Sequence, residues 1–304
     1  MKISIIIPIR IDNPARLNNL NHCLSFLIAN FAGAEIIVVE SDAKTKLENV
    51  RNNFTKVAFH LLNTKERFCK SETMNYGVNK ATMPIIATWD ADIIIHPKAI
   101  AEAYKLMTGQ KFRVISPHNT MVMDIKGKLL EEFVKNFDFN LLPPLNSIRS
   151  NQNQNGVKIK PGLVGGIAMF EKEALLHAGG YNRNMISYGW QDVEVLKRMN
   201  KLGYYNYILG KFDMIHLNHS RGIDSKMNTF YDKNKKEFYK VINMNRKELN
   251  DYVRDTLYSN LIYSDSPLND SSPGLMKFFN LIYLKCIFSR IKRKILLKKW
   301  IMFK

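Results

Sequence analysis

The hydrophobic positions of the first hundred residues fall into two alternating rhythms. The apolar runs "ISIIIP" (3–8), "EIIVVE" (35–40), "VAFHLL" (57–62) and "IIATW" (85–89) predict strands, and the first is of the kind that suits a strand covered on both faces. Between them, apolar residues recur at steps of three and four: Leu17, Leu20, Leu24, Leu27 and Phe31, then Leu47, Val50 and Phe54, then a third helical stretch from Ser71 to Ala81. Asn13-Pro14 supplies an N-cap followed by proline at the first helical position, which fixes where the first helix starts. The order βαβαβαβ implies an α/β fold with a doubly wound, mainly parallel mixed sheet flanked by helices and joined by right-handed crossovers. In such sheets ligands bind beyond the C-terminal ends of the strands. Arg10 and Asp12, Glu40 and Asp42, and Asp90 and Asp92 all lie just past such ends, so three polar clusters are expected on one edge.

Past residue 95 the rhythm is mixed. A helix near 97–108 leads to the strand "RVISP" (113–117). The segment "NSIRSNQNQNGVKIKPG" (146–162) is polar without periodicity and reads as a mobile loop. "GLVGGIAMF" (162–170), "SYGWQDVEVLKRMNKLGY" (187–204) and "FDMIHLNHSRG" (212–222) follow, with no internal repeat. The expected organisation is one domain over 1–265, with halves at 1–95 and 96–240, and a separate tail over 266–304 that forms amphipathic helices.

Charge decides what the tail is for. The 304 residues are 46% hydrophobic and 24% charged, ordinary for a soluble globular protein, but the net charge of +18 points to an anionic partner. From residue 271 onward there is no acidic side chain, and nine basic ones (Lys277, Lys285, Arg290, Lys292, Arg293, Lys294, Lys298, Lys299 and Lys304) carry half of that charge. Phe278, Phe279, Leu281, Ile282, Trp300 and Phe303 are interleaved with them. No charge-free stretch approaches the ~20 residues that span a bilayer, whereas a basic, aromatic, amphipathic segment suits the surface of an anionic membrane. Packing on the protein's own core is the other reading of this tail. Nucleic acid is not expected as a partner, because no recognised motif accompanies the charge. Three dispersed cysteines (Cys23, Cys69 and Cys286) and an apolar run at the N-terminus that Pro8 and Arg10 interrupt fit a cytoplasmic protein, peripheral on the inner face of the cell membrane.

The stretch "PIIATWDADIII" (84–95) carries the candidate chemistry. Asp90 and Asp92 interrupt an apolar run, and ionised groups are costly to bury uncompensated. A strand-end turn or a salt bridge would compensate them; so would a divalent ion, since carboxylate oxygens are the ligands that Mg²⁺ and Mn²⁺ prefer. The Pro-ended first strand (Pro8), the acidic end of the second (Glu40), "NYG" (Asn75 to Gly77) and Asp-Ala-Asp together resemble the nucleotide-sugar half of family 2 glycosyltransferases of the GT-A fold. "FCKSETMNYG" is similar to the segment before the metal motif of β-1,4-galactosyltransferases, with a basic residue at Lys70. "GGYNRNMISYGWQDVEVLKRMNKLGY" resembles their C-terminal motif, and "HLNHSRG" their later metal-binding histidine segment.

The resemblance implies roles. Asp92 is the first metal ligand for Mn²⁺ or Mg²⁺, Asp90 is shared between ribose and metal, and His219 or His216 adds an imidazole. Pro8, Arg10, Glu40 (toward the uracil), Arg67, Lys70 (toward the pyrophosphate), Asn75 and Gly166 would bind the donor. Asp192 is the candidate base for the acceptor hydroxyl: it begins a helix whose stripe is Leu196, Met199 and Leu202, so it points inward, although capping the helix is its other reading. Glu194, four before Arg198, reads as half of an exposed ion pair. Tyr188 and Trp190 would stack on an acceptor sugar beside Gln191, which stands where the family usually has Glu. The implied function is inverting transfer of a hexose or N-acetylhexosamine from a UDP-sugar to a bacterial surface glycan: capsule, lipopolysaccharide or lipid-linked oligosaccharide. A retaining N-acetylgalactosaminyltransferase on the same fold, and an inert membrane- or nucleic-acid-binding relative, are the alternatives.

Overall fold

The computed structural model describes residues 1–64, 67–143, 153–154, 156–160, 165–220, 222 and 228–261. The basic tail expected at 266–304 lies outside them.

The strands are β1 (Ile3–Ile9), β2 (Glu35–Asp42), β3 (Ala58–Asn63), β4 (Ile85–Trp89), β5 (Ile93–Ile95), β6 (Val114–Ser116), β7 (Val122–Ile125), β8 (Asn153–Gln154), β9 (Val157–Lys160), β10 (Ile167–Glu171), β11 (Asn206–Ile208) and β12 (Met214–Leu217). They form two sheets. The larger has the order β11-β6-β10-β4-β1-β2-β3, and the smaller β5-β12-β7-β9-β8. Strands β4, β1, β2 and β3 are parallel, as the apolar runs predict. β1 is buried along its whole length because it has a neighbour on each edge and helices over both faces. Ile3, Ile5, Ile7 and Ile9 enter one core and Ile6 the other, so a continuous apolar strand serves two cores at once.

Helix α1 (Pro14–Asn30) starts where Asn13-Pro14 places it, with Asn13 Oδ1 accepting from the Arg16 N–H at 2.9 Å. It packs Leu20, Leu24 and Leu27 into the first core. After α2 (Glu48–Asn53), α3 (Lys70–Lys80) packs Met74 and Val78 into the second core. Helices α4 (Pro97–Thr108), α5 (Lys128–Asn136), α6 (Lys172–His177), α7 (Gln191–Lys201), α8 (Tyr231–Asn243) and α9 (Arg246–Tyr252) complete the helical layers.

The larger sheet is mainly parallel and mixed, as expected: β10 runs antiparallel between β4 and β6. The structure departs from the sequence reading in two places. Within the polar segment 146–162, Val157–Lys160 is not loop but a strand, paired antiparallel to β7, with Val157 and Ile159 buried. Glu194 and Arg198 do pair, yet both side chains are fully buried rather than exposed. Arg198 Nε and Nη2 donate to Glu194 at 2.7 and 3.0 Å; Nη1 donates to the Ala178 carbonyl and Nη2 to that of Gly180 at 2.7 Å. Four of the five guanidinium N–H groups are thereby engaged, which is what lets a charge persist inside the second core.

Candidate active site

Beyond the C-terminal ends of β1 and β4 the two sheets meet around a cleft of about 340 Å³. Its floor is the turn from β4 to β5. Asp90 follows the last residue of β4, Asp92 precedes the first of β5, and the single residue Ala91 separates them, so each carboxylate adjoins a different sheet. Hydrogen bonds fix this turn: the Asp90 N–H donates to the Gly166 carbonyl, the Leu217 N–H to the Asp92 carbonyl, and Trp89 Nε1 to the Ile93 carbonyl, each at 2.8 Å. Gly166 has φ +101, and a Cβ there would lie 3.0 Å from Met214 Sδ, so this close crossing requires glycine.

Asp92, His216 and His219 form a cluster whose ligand atoms all lie within 4.8 Å of one another. His219 Nε2 is 2.8 Å and His216 Nε2 3.6 Å from Asp92 Oδ2. Both rings are tied at Nδ1, to the Ser220 carbonyl at 2.6 Å and to Asp124 Oδ1 at 2.6 Å, which turns both Nε2 atoms toward the carboxylate. One carboxylate and two imidazoles presenting Nε2 is a donor set that fits a divalent transition ion. The sequence left His216 and His219 as alternatives; the structure brings both. Burial by itself would raise the Asp92 carboxyl, but the two imidazoles outweigh it and hold the group well below the usual carboxylate range. Burial disfavours charge on His216, yet Asp92 and Asp124 prevail and lift the ring to about 9.

Across the cleft, Lys70 at the start of α3 reaches both Asp90 Oδ1 (2.8 Å) and Asp192 Oδ2 (3.0 Å). Desolvation pushes Asp90 up to about 6, with Asp192 and Asp92 adding to the rise and Lys70 opposing it. Desolvation also disfavours the Lys70 ammonium, but the two carboxylates more than restore it, and the group stays above its ordinary range. Asp192 is the second residue of α7; the N-cap position belongs to Trp190, so the carboxylate is directed at Lys70 rather than at the helix end. A Cβ on Gly165 would lie 2.5 Å from Asp192 Oδ2, so the bare backbone there keeps this oxygen accessible.

The remaining expectations divide. Pro8, Gly166, Tyr188, Trp190 and Gln191 line the cleft. Trp190 adopts φ +74 and packs its ring 4.9 Å from Phe238 and 5.9 Å from Tyr231. Gln191 is buried and donates to the Ser187 carbonyl at 2.7 Å, so its amide braces the loop before α7. Arg10, Glu40, Arg67 and Asn75 are not among the residues lining it. Glu40 is 2% exposed and accepts from Thr45 Oγ1 at 2.6 Å and the Lys46 N–H at 2.8 Å, which shapes the loop after β2. Arg67 stacks over Phe230. Asn75 is fully buried; it accepts from the Tyr181 N–H at 2.7 Å and donates to the Tyr181 carbonyl at 2.8 Å, a tie between α3 and the chain leading to α7. In this structure its amide supports the wall of the cleft without lining it.

The sequence reading missed Arg16, which lines the cleft from the first turn of α1, and Asp124. The pairing of β7 with β12 is what brings Asp124 opposite His216, and that pairing is not visible in the local pattern.

Comparison with known proteins gives the following. The model for glycosyl transferase family 2 matches residues 4–177, more than half of the chain, and the one described as the N-terminal domain of galactosyltransferase matches 151–220. A "Probable glycosyltransferase" of Sulfolobus acidocaldarius is 27% identical over 204 residues, which is 65% of this chain and 42% of that protein. The chain thus spans less than half the length of that relative. The structure of S. aureus TarS in complex with UDP-GlcNAc superimposes with a TM-score of 0.53 at 13% identity, covering 88% of this chain and 74% of that one. That likeness bears on the fold. The mannosyltransferase PcManGT of Pyrobaculum calidifontis, in complex with GDP-Man and Mn²⁺, gives 0.46 at 20% identity, covering 73% and 58%.

Proposed function

As the chain belongs to glycosyl transferase family 2, we propose that it catalyses inverting, metal-dependent transfer of a hexose or N-acetylhexosamine from a UDP-sugar to a bacterial surface glycan or its lipid-linked precursor. The observation that carries this reading is the meeting of three groups with separate tasks in one cleft: Asp92 with His216 and His219, Lys70, and Asp192.

On this reading Asp92, His216 and His219 hold the divalent ion, and two imidazoles among three ligands favour Mn²⁺ over Mg²⁺. When bound, the ion supplies Lewis-acid charge against the departing diphosphate. Lys70 adds a second cation, and its two carboxylate partners keep it protonated and aimed into the cleft. A diphosphate oxygen competes with Asp192 for this ammonium; as Lys70 turns toward the donor, Asp192 Oδ2 becomes free. Asp192 then takes the proton of the acceptor hydroxyl as its oxygen attacks the anomeric carbon, on the face opposite the leaving diphosphate. Trp190 and Tyr188 form the apolar wall against which an acceptor sugar ring rests.

The test is to incubate the protein with a panel of UDP- and GDP-sugars and Mn²⁺ and to follow nucleoside diphosphate release. Slow UDP release from one or a few UDP-sugars is expected. It should stop on chelation and return with Mn²⁺ more fully than with Mg²⁺. Release indifferent to chelation would remove the metal from the mechanism, and release of GDP alone would reassign the donor.

The acceptor is proposed to sit at the inner membrane face because of the basic, aromatic tail; no helix among the described residues is long and apolar enough to cross a bilayer. Removing residues 272–304 takes away all nine basic side chains counted above but no cleft residue. The truncated protein should still release UDP and should no longer sediment with anionic-lipid vesicles. Binding by the full chain should weaken with salt without vanishing, since apolar insertion is screened less than charge. Vesicle binding that survives truncation would put the membrane contact elsewhere.

A further inference from the structure

The two histidines face Asp92 alike but are held differently. His219 donates from Nδ1 to the carbonyl of Ser220, its neighbour in the chain. His216 donates from Nδ1 to a carboxylate on another strand, Asp124 of β7, which the parallel pairing of β12 with β7 sets directly opposite it. Asp124 is in turn held on every side. Lys160 Nζ of β9 is 2.5 Å from Oδ2, and Asn218 Nδ2 donates to both oxygens at 3.1 and 3.3 Å. The Asp124 side chain is only 9% exposed.

We propose that Asp124 is a positioning residue for the metal centre: it keeps His216 in the tautomer that ligates through Nε2, and Lys160 and Asn218 fix Asp124. An imidazole ligates only through a nitrogen that carries no proton. A carboxylate can only accept, so Asp124 accepts the Nδ1–H hydrogen bond and holds that proton on Nδ1; the proton displaced by an incoming ion is then the one on Nε2, and the ring is held at one angle. Asp124 does not belong to the cluster of mutually close ligand atoms, so it acts through His216 and not on the ion. The inference rests on the metal reading given above.

The experiment must separate this from a role in merely tying β7, β9 and β12 together. Asp124→Asn keeps the shape, but its amide can present an N–H to Nδ1 and reverse the tautomer. Calorimetric titration of the nucleotide-free protein with Mn²⁺ should show affinity lowered by about 10- to 100-fold. Mg²⁺ draws little from imidazole, so its affinity should change much less and the Mn²⁺ preference should narrow. In a His216→Ala background the same replacement should cost little more, because its effect passes through a ring already removed. If Asp124→Asn does not fold, Asp124→Glu, which displaces the carboxylate by one methylene, enters the same cycle with the same expectation. Equal losses for Mn²⁺ and Mg²⁺, or losses that add in the double variant, would overturn the proposal. Native protein that bound Mn²⁺ while Asp124→Asn bound it equally well would overturn the positioning role alone. Native protein that bound no Mn²⁺ would overturn the metal reading and this one together.

Discussion

Asp192→Asn is expected to lower glycosyl transfer by roughly two to four orders of magnitude, the usual contribution of a general base, while UDP binding survives. Asparagine preserves the side chain's shape at the second position of α7 but cannot accept a proton from the acceptor hydroxyl. The neighbouring cation gives the experiment a second, independent sign. Lys70 is shared between Asp90 and Asp192, so neutralising one partner leaves the ammonium more available to a diphosphate. UDP affinity should therefore hold or increase slightly. Initial rates with saturating donor and acceptor, together with UDP titration, measure both quantities. Transfer near the native rate would mean that Asp192 is only a partner for Lys70 and that another group takes the proton.

The largest effect on stability is expected at a residue that touches no ligand. Arg198→Met removes one half of a fully buried ion pair, leaving Glu194 charged and unpaired in the second core and two carbonyls without their donors. Breaking such a pair costs about 3–5 kcal/mol, a large share of the roughly 5–15 kcal/mol that holds a typical domain together. The double variant Glu194→Leu/Arg198→Met should recover much of the loss, since apolar replacement of both partners removes the stranded charge. Denaturant midpoints of the three proteins decide it, and a single variant within about 0.5 kcal/mol of native would show that the pair is solvated. The location matters for the site. Arg198 holds the carbonyls of Ala178 and Gly180, Tyr181 follows, and Asn75 clasps Tyr181. This chain of contacts joins α7, which carries Asp192, to α3, which carries Lys70.

The local pattern was sufficient wherever a contact is between near neighbours in sequence or a strand is buried on both sides. Ile3–Ile9 and Ile85–Trp89 were legible because burial on two faces leaves one small polar residue in each run, Ser4 and Thr88, and α1 because Asn13-Pro14 marks its first turn. Asp90, Asp92, Lys70 and Asp192 were legible as chemistry through the motifs they sit in, and the structure gathers them. Distant pairings were not legible. Val157–Lys160 is four residues of alternation inside a polar stretch, too short to stand out, and its partner β7 is thirty-odd residues away in sequence. Asp124 went unnoticed for the same reason, its partner His216 being ninety-odd residues away. The i, i+4 spacing of Glu194 and Arg198 announced the pair but not its burial, because the carbonyls that engage the guanidinium come from the turn before Tyr181. The motif around Asn75 was legible too, but not that its amide ties α3 to the chain leading to α7.

The antiparallel insertion of β10 governs how this molecule can be made. As the chain leaves the ribosome, β1 to β4 can pair among themselves as soon as residue 89 is out, but the far edge of β4 stays open. Among the described residues, no strand synthesised before residues 167–171 closes it, because β6, although earlier in sequence, reaches β4 only through β10. Throughout that interval a nascent polypeptide carries an apolar, hydrogen-bond-hungry strand edge, the kind that invites pairing with another copy. The half of the cleft that carries Asp90 therefore has no early independence. Its Asp90 is oriented by the Gly166 carbonyl, which arrives with β10, so sealing the sheet and orienting that carboxylate are one late event in the life of the chain.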